Sequence, residues 1–543
     1  MPARTAAVLR CAAALLALAA ATARADTLVD NVDGFTLDRE GHVQRFTGLV
    51  IGNDGRVAQV LSQFDKRPAR ADYLLDGKGR VLMPGLVDAH AQVMKLGFAA
   101  LTLDLSPAKS LAEVQARLAA YAAAHPDRPW LLGRGWDPAL VAGPTAAVLD
   151  AVVKDRPVWL ESADGHQGWA NSAALAAAGI TGATKDPLGG RIVRLPPTPA
   201  AKAAPKAPPR ASGLLVETAM DLVARAVPAP RPEDRDLAFA SAQDSLLKAG
   251  VTTVTDMGTT IEDWQAYRRA GDLGTLRVRV LAFSAGTEAM TLIAGPAPTP
   301  WLYDDRLRLG GVALVLDGAL ATRGALLKSP YPAAPRETGL PRLGETQLRN
   351  LMSRAGIDRF QVALEAHGPG AVAQGIAAFT ELAQTYKGDR RWRIDSAEAI
   401  DQADIPALAA GNITVVAQPG GLATGSLASA GLPLALGSGA TGAERLSPWA
   451  GIAAAATGPQ PLPRSQALAA ATTGAAWAAF ADGRIGGLEP GQRADFVLLD
   501  RDPLQASPDE LRQTKVLETW VGGRKMWSAI ESTSPSRMPA TSR

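Results

Sequence analysis

Cysteine and histidine are both scarce in this sequence. The single cysteine among 543 residues, Cys11, lies near the start of an N-terminal apolar run, so disulfide bonds and thiolate-bound metals are excluded from the rest of the chain. The five histidines are His42, His90, His125, His166 and His367. So few imidazoles make a histidine-rich metal centre difficult to assemble.

An excess of one charge and long apolar segments are also missing. The chain has 56 Lys+Arg against 53 Asp+Glu, and the resulting charge of +3 equals the three arginines within residues 1–25. A near-neutral surface excludes the strong basic patch expected of a nucleic-acid-binding protein. The apolar run at 11–23 is shorter than the ~20 residues that span a bilayer, which argues against a stable membrane anchor.

What is present at the N-terminus has the pattern of a secretory signal peptide. Arg4 and Arg10 precede the apolar run, and Ala23-Arg24-Ala25 forms a small-x-small ending before Asp26. Residues 1–25 therefore predict export, with the periplasm as the expected compartment. Two other segments have almost nothing to bury: 196–210 is predicted to be an extended loop, and 532–543 a disordered tail.

The two ends of the mature chain contain short apolar stretches separated by turn residues, and we expect 26–83 and 476–531 to join in one small β-sandwich. Between them, strand-like runs that end in polar residues alternate with alanine-rich helical segments; these runs are 250–256, 312–317, 361–365, 413–418 and 432–438. The alternation predicts an α/β fold with a distorted (β/α)8 TIM barrel over 84–475, interrupted by an inserted α/β subdomain at about 105–227. Ligands are expected at the C-terminal ends of the barrel strands.

Several phrases, read together and in order, resemble the amidohydrolase superfamily, and most closely its family 3 branch. They are MPGLVDAH at 83–90, GRGWD at 133–137, DGH at 164–166, GVTTV at 250–254, LDGAL at 316–320 and GLEPGQRAD at 487–495. The resemblance implies a metal-dependent hydrolase of carbon–nitrogen bonds in amides or cyclic amides. In such an enzyme divalent ions lower the pKa of a bound water and polarise the scissile carbonyl. The last phrase, 487–495, is expected to be structural.

Most positions at which this resemblance implies metal ligands hold other residues. In chain order these positions contain His90, Gln92, Ala313, Glu365, Ser396 and Gly439. Only His90 matches, and Gly439 replaces the aspartate that would be both a ligand and the base acting on the water. Because glycine offers neither a lone pair nor a proton acceptor, hydrolysis by the family mechanism is expected to fail. The sequence therefore predicts a non-hydrolytic protein that binds a small molecule and needs no cofactor.

Alternatives to this prediction remain open. His90, Glu365 and His367 offer ligands for a single zinc or iron ion in an active hydrolase with a reduced site, or they simply hydrogen-bond within the pocket. A third interpretation is a subunit that supports an active homologue, and homo-oligomerisation also stays open.

Three further pocket candidates come from local phrases. Asp317 ends a predicted strand, although Asp-Gly-Ala also suits a turn. Arg323 either pairs with an anionic ligand or lies on an ordinary surface, and His166 is either a pocket residue or structural within the insertion. No catalytic residue is assigned. The complete set of pocket candidates is His90, Gln92, His166, Asp317, Arg323, Glu365, His367, Ser396 and Gly439.

Overall fold

The computed structural model describes residues 25–141, 143–196, 209–396, 399–418 and 424–529. The predicted signal peptide apart from Ala25, the predicted tail at 532–543 and the central part of the proline-rich loop, 197–208, lie outside the described residues. Within these ranges no helix is both long and apolar enough to cross a membrane.

The described secondary structure is a mixture of strands and helices. The strands are β1 Ala25–Leu37, β2 Val43–Ile51, β3 Val57–Leu61, β4 Ala71–Asp76, β5 Val81–Pro84, β6 Leu86–Ala91, β7 Leu103–Asp104, β8 Leu131–Trp136, β9 Val158–Ser162, β10 Gln167–Ala170, β11 Gly190–Arg194, β12 Ala211–Glu217, β13 Val251–Thr259, β14 Arg279–Ala285, β15 Leu307–Val315, β16 Gln361–Glu365, β17 Arg393–Asp395, β18 Thr414–Ala417, β19 Leu434–Leu436, β20 Phe496–Leu499, β21 Val516–Val521 and β22 Arg524–Ser528. The helices are α1 Val93–Leu101, α2 Leu111–Ala124, α3 Ala146–Asp150, α4 Ser172–Ala177, α5 Met220–Ala224, α6 Pro232–Lys248, α7 Ile261–Asp272, α8 Gly286–Ala294, α9 Glu345–Ile357, α10 Pro369–Leu382, α11 Ile405–Ala410, α12 Thr424–Ser429, α13 Pro448–Thr457, α14 Arg464–Ala470, α15 Thr473–Ala478 and α16 Pro508–Arg512, with a 3₁₀ turn at Gln402–Asp404.

The two ends of the chain form one sheet. Its strand order is β22-β21-β20-β5-β1-β2-β3, with β4 also paired to β1, and the ends meet where β20 runs antiparallel to β5. Apolar side chains from both ends share one core, in which the rings of Phe496 and Trp520 stack with centroids 5.3 Å apart. The two chain ends, for which the sequence predicts a small β-sandwich, are therefore joined in one continuous hydrogen-bonded sheet.

The centre of the molecule is a parallel eight-stranded barrel with the order β6-β13-β14-β15-β16-β17-β18-β19. Its edges meet through two backbone hydrogen bonds: Gly439 N–H donates to the His90 carbonyl at 2.8 Å, and Gln92 N–H donates to the Ala440 carbonyl at 2.9 Å. The predicted fold class is thus confirmed. The sequence pattern did not reveal β14 and β17, because each begins with an arginine, Arg279 or Arg393, that only an ion pair makes compatible with burial.

The chain leaves the barrel after β6 and α1 and returns at β13, and the insertion between them has its own sheet, β11-β12-β10-β9-β8-β7. The rings of Trp136 and Trp169 are fully buried inside it, edge to face with centroids 5.6 Å apart. These two tryptophans therefore belong to the core of the insertion and do not form walls of a pocket.

The phrase 487–495 lies at the junction between barrel and terminal sheet. Asp495 forms a two-pronged ion pair with Arg279 of β14, at 2.6 and 2.8 Å, and also accepts the Gly522 N–H at 2.7 Å. Both partners are almost completely buried. This arrangement supports the expected structural role of the phrase.

Candidate functional site

A cavity of about 630 Å³ opens at the C-terminal ends of the barrel strands, under the insertion. Its volume suits a small organic molecule. The insertion contributes Glu161, Asp164 and His166 to the lining. Of the nine pocket candidates, the structure brings seven into the lining: His90, Gln92, His166, Glu365, His367, Ser396 and Gly439.

Asp317 and Arg323 lie outside the cavity lining. The buried Asp317 carboxylate accepts backbone N–H groups of Leu326, His367 and Gly368 at 2.7 to 2.9 Å, so it joins the loop after β15 to the loop after β16. Burial raises the pKa of Asp317 to about 6, against the opposing effect of these donors. Arg323 is 39% exposed and pairs with Glu337 at 3.6 Å. It is therefore a surface residue, because its charge is better solvated by water than by the protein interior.

Each histidine in the cavity is paired with a carboxylate. The pairs are His90 Nδ1 with Asp395 at 2.8 Å, His166 Nδ1 with Glu217 at 3.0 Å and His367 Nε2 with Glu365 at 3.2 Å. The rings of His166 and His367 also meet edge to face, with centroids 5.3 Å apart. A carboxylate bound to one ring nitrogen fixes the orientation of an imidazole, so the cavity presents three oriented rings.

Asp395 is ionised because Arg393 lies beside it. Arg393 Nε donates to Asp395 Oδ1 at 2.7 Å, and its Nη2 donates both to Asp395 Oδ2 and to the Ala89 carbonyl. Burial favours the neutral acid, but the charge and hydrogen bonds of Arg393, together with His90, outweigh burial and lower the pKa of Asp395. The buried pair holds His90 from below the cavity.

Glu365 is similarly held in its charged form. Burial again opposes ionisation, yet the hydrogen bond from His367 and the charges of His90, His367 and Arg342 together lower the pKa of Glu365. Its negative charge is therefore already compensated by protein groups around the cavity.

Glu217, at the end of β12, was not among the sequence-based candidates although it organises one wall. Its carboxylate accepts hydrogen bonds from the Ala319 N–H at 3.0 Å, the Thr322 hydroxyl at 2.5 Å, Arg342 at 2.8 Å and His166. Burial tends to raise the pKa of Glu217, but His166, Thr322 and Arg342 lower it to about 2. We call this arrangement of Glu217 with its four donors the Glu217 clasp. It fastens the insertion to the loop after β15.

The sequence contained a signal for this clasp in the glycines of that loop. A Cβ on Gly318 would lie 2.3 Å from the Glu217 carboxylate carbon, and one on Gly324 would lie 2.8 Å from Glu217 Oε1. Both positions therefore require glycine for close approach of a partner. The sequence alone does not identify that partner.

Gln418, the residue after β18, is the second functional residue that was missed. Its side chain lines the cavity, its Nε2 donates to the Ser396 hydroxyl, and its Oε1 lies 2.2 Å from where a Cβ on Gly439 would stand. The signal was available, because the predicted strand 413–418 ends on this polar residue at the edge where ligands are expected.

The residues that line the cavity do not fit the divalent ion implied by the resemblance. Such an ion needs several deprotonated donors that converge on one point, whereas within the described ranges no group of three or more His, Cys, Asp or Glu side chains is arranged to hold a metal. The Glu365 carboxylate is hydrogen-bonded to His367 Nε2 at 3.2 Å, so these two groups are paired with each other. At Gly439 a carboxamide occupies the space that a ligand side chain would need.

A parallel barrel with an inserted subdomain, a sheet made from both chain ends and a cavity over the strand ends defines the architecture of a barrel hydrolase. The model of a family described as the amidohydrolase family matches residues 74–526. The chain belongs to this family, as its sequence phrases predicted. Membership in the family supports a hydrolase-type function.

Relatives with known names are distant but match along most of their length. The chain is 28% identical to the protein LONG AFTER FAR-RED 3 of Arabidopsis thaliana, covering 93% of this chain and 92% of that one. It is 26% identical to the N-substituted formamide deformylase of Arthrobacter pascens, covering 92% and 97% respectively. A crystal structure of an uncharacterized metal-dependent hydrolase from Pyrococcus horikoshii is similar with a TM-score of 0.70 at 22% identity, over 89% of this chain and 99% of that one. This structural likeness supports the fold.

Proposed function

We propose that this protein binds a small polar molecule in the cavity at the barrel mouth and does not hydrolyse it by the metal-assisted route of its family. The observation that carries the proposal is Gly439, which stands where the resemblance implies the aspartate acting on the nucleophilic water. Its backbone is left-handed, with φ +63°, and Gln418 fills the adjoining space. Neither a ligand nor a base can act from this position.

The ligand we propose is amide-like, either open-chain or cyclic. Gln92 and Gln418 both line the cavity, and a carboxamide offers N–H donors and a carbonyl acceptor together. An amide carries the same two kinds of group and pairs with both. The Arthrobacter pascens relative, by its name, deformylates an N-substituted formamide, which agrees with an amide as the class of molecule.

Calorimetric binding and product analysis, run in parallel, test this function. A panel of N-formyl and N-acetyl amines and cyclic amides is titrated into the protein with and without EDTA, and the same mixtures are analysed by mass spectrometry. We expect saturable binding of at least one compound, equal with and without chelator, and no cleavage product. A cleavage product that disappears with EDTA would instead establish the family reaction.

A second candidate function is an active hydrolase with a single zinc or iron ion. It is favoured by the observation that His90, Glu365 and His367 line the same cavity. In that case His90→Ala and Glu365→Ala each abolish both metal retention and activity, which elemental analysis and the same product assay detect. The hydrogen bond between Glu365 and His367 Nε2, at 3.2 Å, favours the first proposal.

We also propose that the protein is exported and that the mature chain starts at Asp26. The pattern of residues 1–25 supports this, and the first sheet strand begins at Ala25, so removal of the leader takes only one residue from that strand. Cell fractionation followed by N-terminal sequencing checks the compartment and the start. A protein that keeps residue 1 and stays in the cytoplasm would contradict export.

A further inference from the structure

We propose that the Gln418 carboxamide takes over the structural role of a divalent ion, because it fills and connects two positions at which the resemblance implies ion ligands. The same carboxamide binds a neutral ligand through hydrogen bonds. The inference rests on the proposed function in treating the cavity as a binding site. It concerns Gln418, Ser396 and Gly439, which follow the neighbouring barrel strands β18, β17 and β19.

The first step is the mutual exclusion of residues 418 and 439. A Cβ at position 439 would lie 2.2 Å from Gln418 Oε1, 2.7 Å from its Cδ and 3.2 Å from its Nε2. The whole carboxamide therefore occupies the space that any side chain at 439 must enter. An aspartate can return to this position only if the end of Gln418 moves away.

The second step is the bond from the same carboxamide to Ser396. Ser396 is buried and left-handed, with φ +60°, a conformation that non-glycine residues adopt only when their surroundings hold them there. Gln418 Nε2 donates to its hydroxyl oxygen. One neutral side chain thus contacts both positions at which the resemblance implies ion ligands, a histidine at 396 and an aspartate at 439.

The third step is that the barrel seam leaves little room for another arrangement. Gly439 N–H donates to the His90 carbonyl at 2.8 Å, and a Cβ on Gly437 would lie 2.6 and 2.7 Å from atoms of His90. The edges β19 and β6 are therefore packed backbone against backbone beside the Gln418 carboxamide. Separating these edges to admit a side chain at 439 would break the backbone contacts of the seam and would therefore be destabilising.

The fourth step concerns what the carboxamide offers to the cavity. Within the described residues, the only hydrogen bond of the Gln418 side chain is the one to Ser396, and the Gln92 side chain has none. Gln418 therefore retains its carbonyl and one N–H for a ligand. A neutral amide pairs with both groups, whereas a carboxylate pairs only with donors. The site should prefer a neutral amide to the corresponding acid.

A double-mutant cycle tests the structural half of the proposal. The variants are Gly439→Ala, Gln418→Ala and the double variant, with thermal unfolding as the readout. Gly274→Ala is the matched control, since Gly274 is also left-handed, with φ +70°, but has no atom within 4 Å of an added Cβ. We expect Gly439→Ala to lower Tm more than the control does, and Gln418→Ala to remove that excess. Additive effects of the two substitutions would overturn this half.

Metal content provides a second readout on the same proteins. After incubation with zinc or manganese and removal of excess ions, the wild-type protein is expected to retain far less than one equivalent of metal, and its Tm is expected to be the same with EDTA. Stoichiometric metal in the wild-type protein would contradict the proposal that Gln418 replaces the ion. If such a protein still formed no cleavage product, the proposed binding function would stand while this inference fell.

Ligand preference tests the recognition half, with succinimide as the neutral probe and succinate, which has two carboxylates and no amide, as the anionic one. We expect the wild-type protein to bind succinimide more tightly, and Gln418→Ala to lose about tenfold in affinity for it, the effect of one or two hydrogen bonds. Gln384→Ala, an exposed glutamine after α10, is the control and should bind normally. No succinimide binding, or equal binding by the Gln418 variant, would overturn the recognition half. Metal-free cleavage of succinimide would instead refute the proposed function without affecting Gln418.

Discussion

The two ends of the barrel differ in whether they contain the charged residues that the family resemblance implies. At the end where β14 begins, Arg279 and Asp495 form a buried ion pair that links the barrel to the terminal sheet. At the other end, where the resemblance implies metal ligands, neutral Gln418, Ser396 and Gly439 lie together. The junction contains its family phrase, whereas most positions at the mouth where the resemblance implies metal ligands hold other residues.

This difference shows which part of the family pattern serves the fold. The charges at the junction neutralise one another within the protein, so the loss of either leaves its partner buried and unpaired. Charged ligand residues at the mouth are compensated by an ion, and they can be exchanged for neutral ones when the ion is no longer bound. In barrels generally, the C-terminal strand ends carry function and the opposite end carries stability.

The largest expected effect comes from breaking the junction. Asp495→Asn leaves the Arg279 guanidinium, 1% exposed, without its ionic partner, and we expect the free energy of unfolding to fall by about 3 to 5 kcal/mol. Urea denaturation followed by circular dichroism measures the loss. Asp509→Asn, which removes an exposed partner of Arg512, should cost less than about 1 kcal/mol. Similar losses in the two variants would contradict the contrast between the barrel ends.

The next effect sharpens the comparison, because the Glu217 clasp is a charged element near the mouth. The folded-state pKa of Glu217, about 2, lies below its ordinary value of 4.5. A depressed pKa contributes stability that is present above the ordinary value and is lost as the pH falls towards the folded value. We therefore expect Glu217→Gln to destabilise the protein by about 3 kcal/mol at pH 7.

The pH dependence of that difference is the measurement that checks it. Free energies of unfolding for the wild-type protein and Glu217→Gln should converge as the pH is lowered from 4.5 towards 2. The exposed Glu345→Gln on α9 serves as the control. A gap between wild type and Glu217→Gln that stays constant down to the lowest pH would show that lost packing, and not charge, causes the destabilisation.

A small effect is expected for Arg323. Its side chain is 39% exposed and its contact with Glu337 is long, at 3.6 Å, so Arg323→Ala should change the free energy of unfolding by less than about 1 kcal/mol. Ligand affinity, measured by calorimetry, should not change because Arg323 is outside the cavity lining. Weaker binding of an anionic ligand by this variant would show that Arg323 contributes to the binding site.

The smallest expected effect is that of metal removal. Because Gln418 is expected to replace the ion, overnight dialysis against EDTA should leave both Tm and ligand affinity unchanged. A tightly bound structural ion would behave differently: its loss costs about 4 kcal/mol when the free metal had been a thousandfold above its Kd. A clear fall in Tm would favour the single-metal alternative over the proposed function.

Sequence reasoning found the cavity residues that a family phrase marks and missed those that only contacts mark. His90, Ser396 and Gly439 stand at fixed offsets within recognisable phrases, so each was identified before the structure was known. Gln418 and Glu217 occupy positions with no such phrase. Their roles depend on partners on other strands, and a polar residue at the end of a strand does not reveal which neighbour it meets.

The sequence by itself determined the family and the barrel, because both are encoded in contiguous phrases and in the alternation of strands and helices. It also predicted that most positions implied as metal ligands hold other residues. Tertiary structure alone decided which side chains meet around those positions. Glu217 and Arg342 are 125 positions apart, and Gln418 and Ser396 are 22 apart on neighbouring strands. The first pair forms because the insertion packs over the barrel mouth, and the second because neighbouring barrel strands end side by side. No local pattern of residues contains either relation.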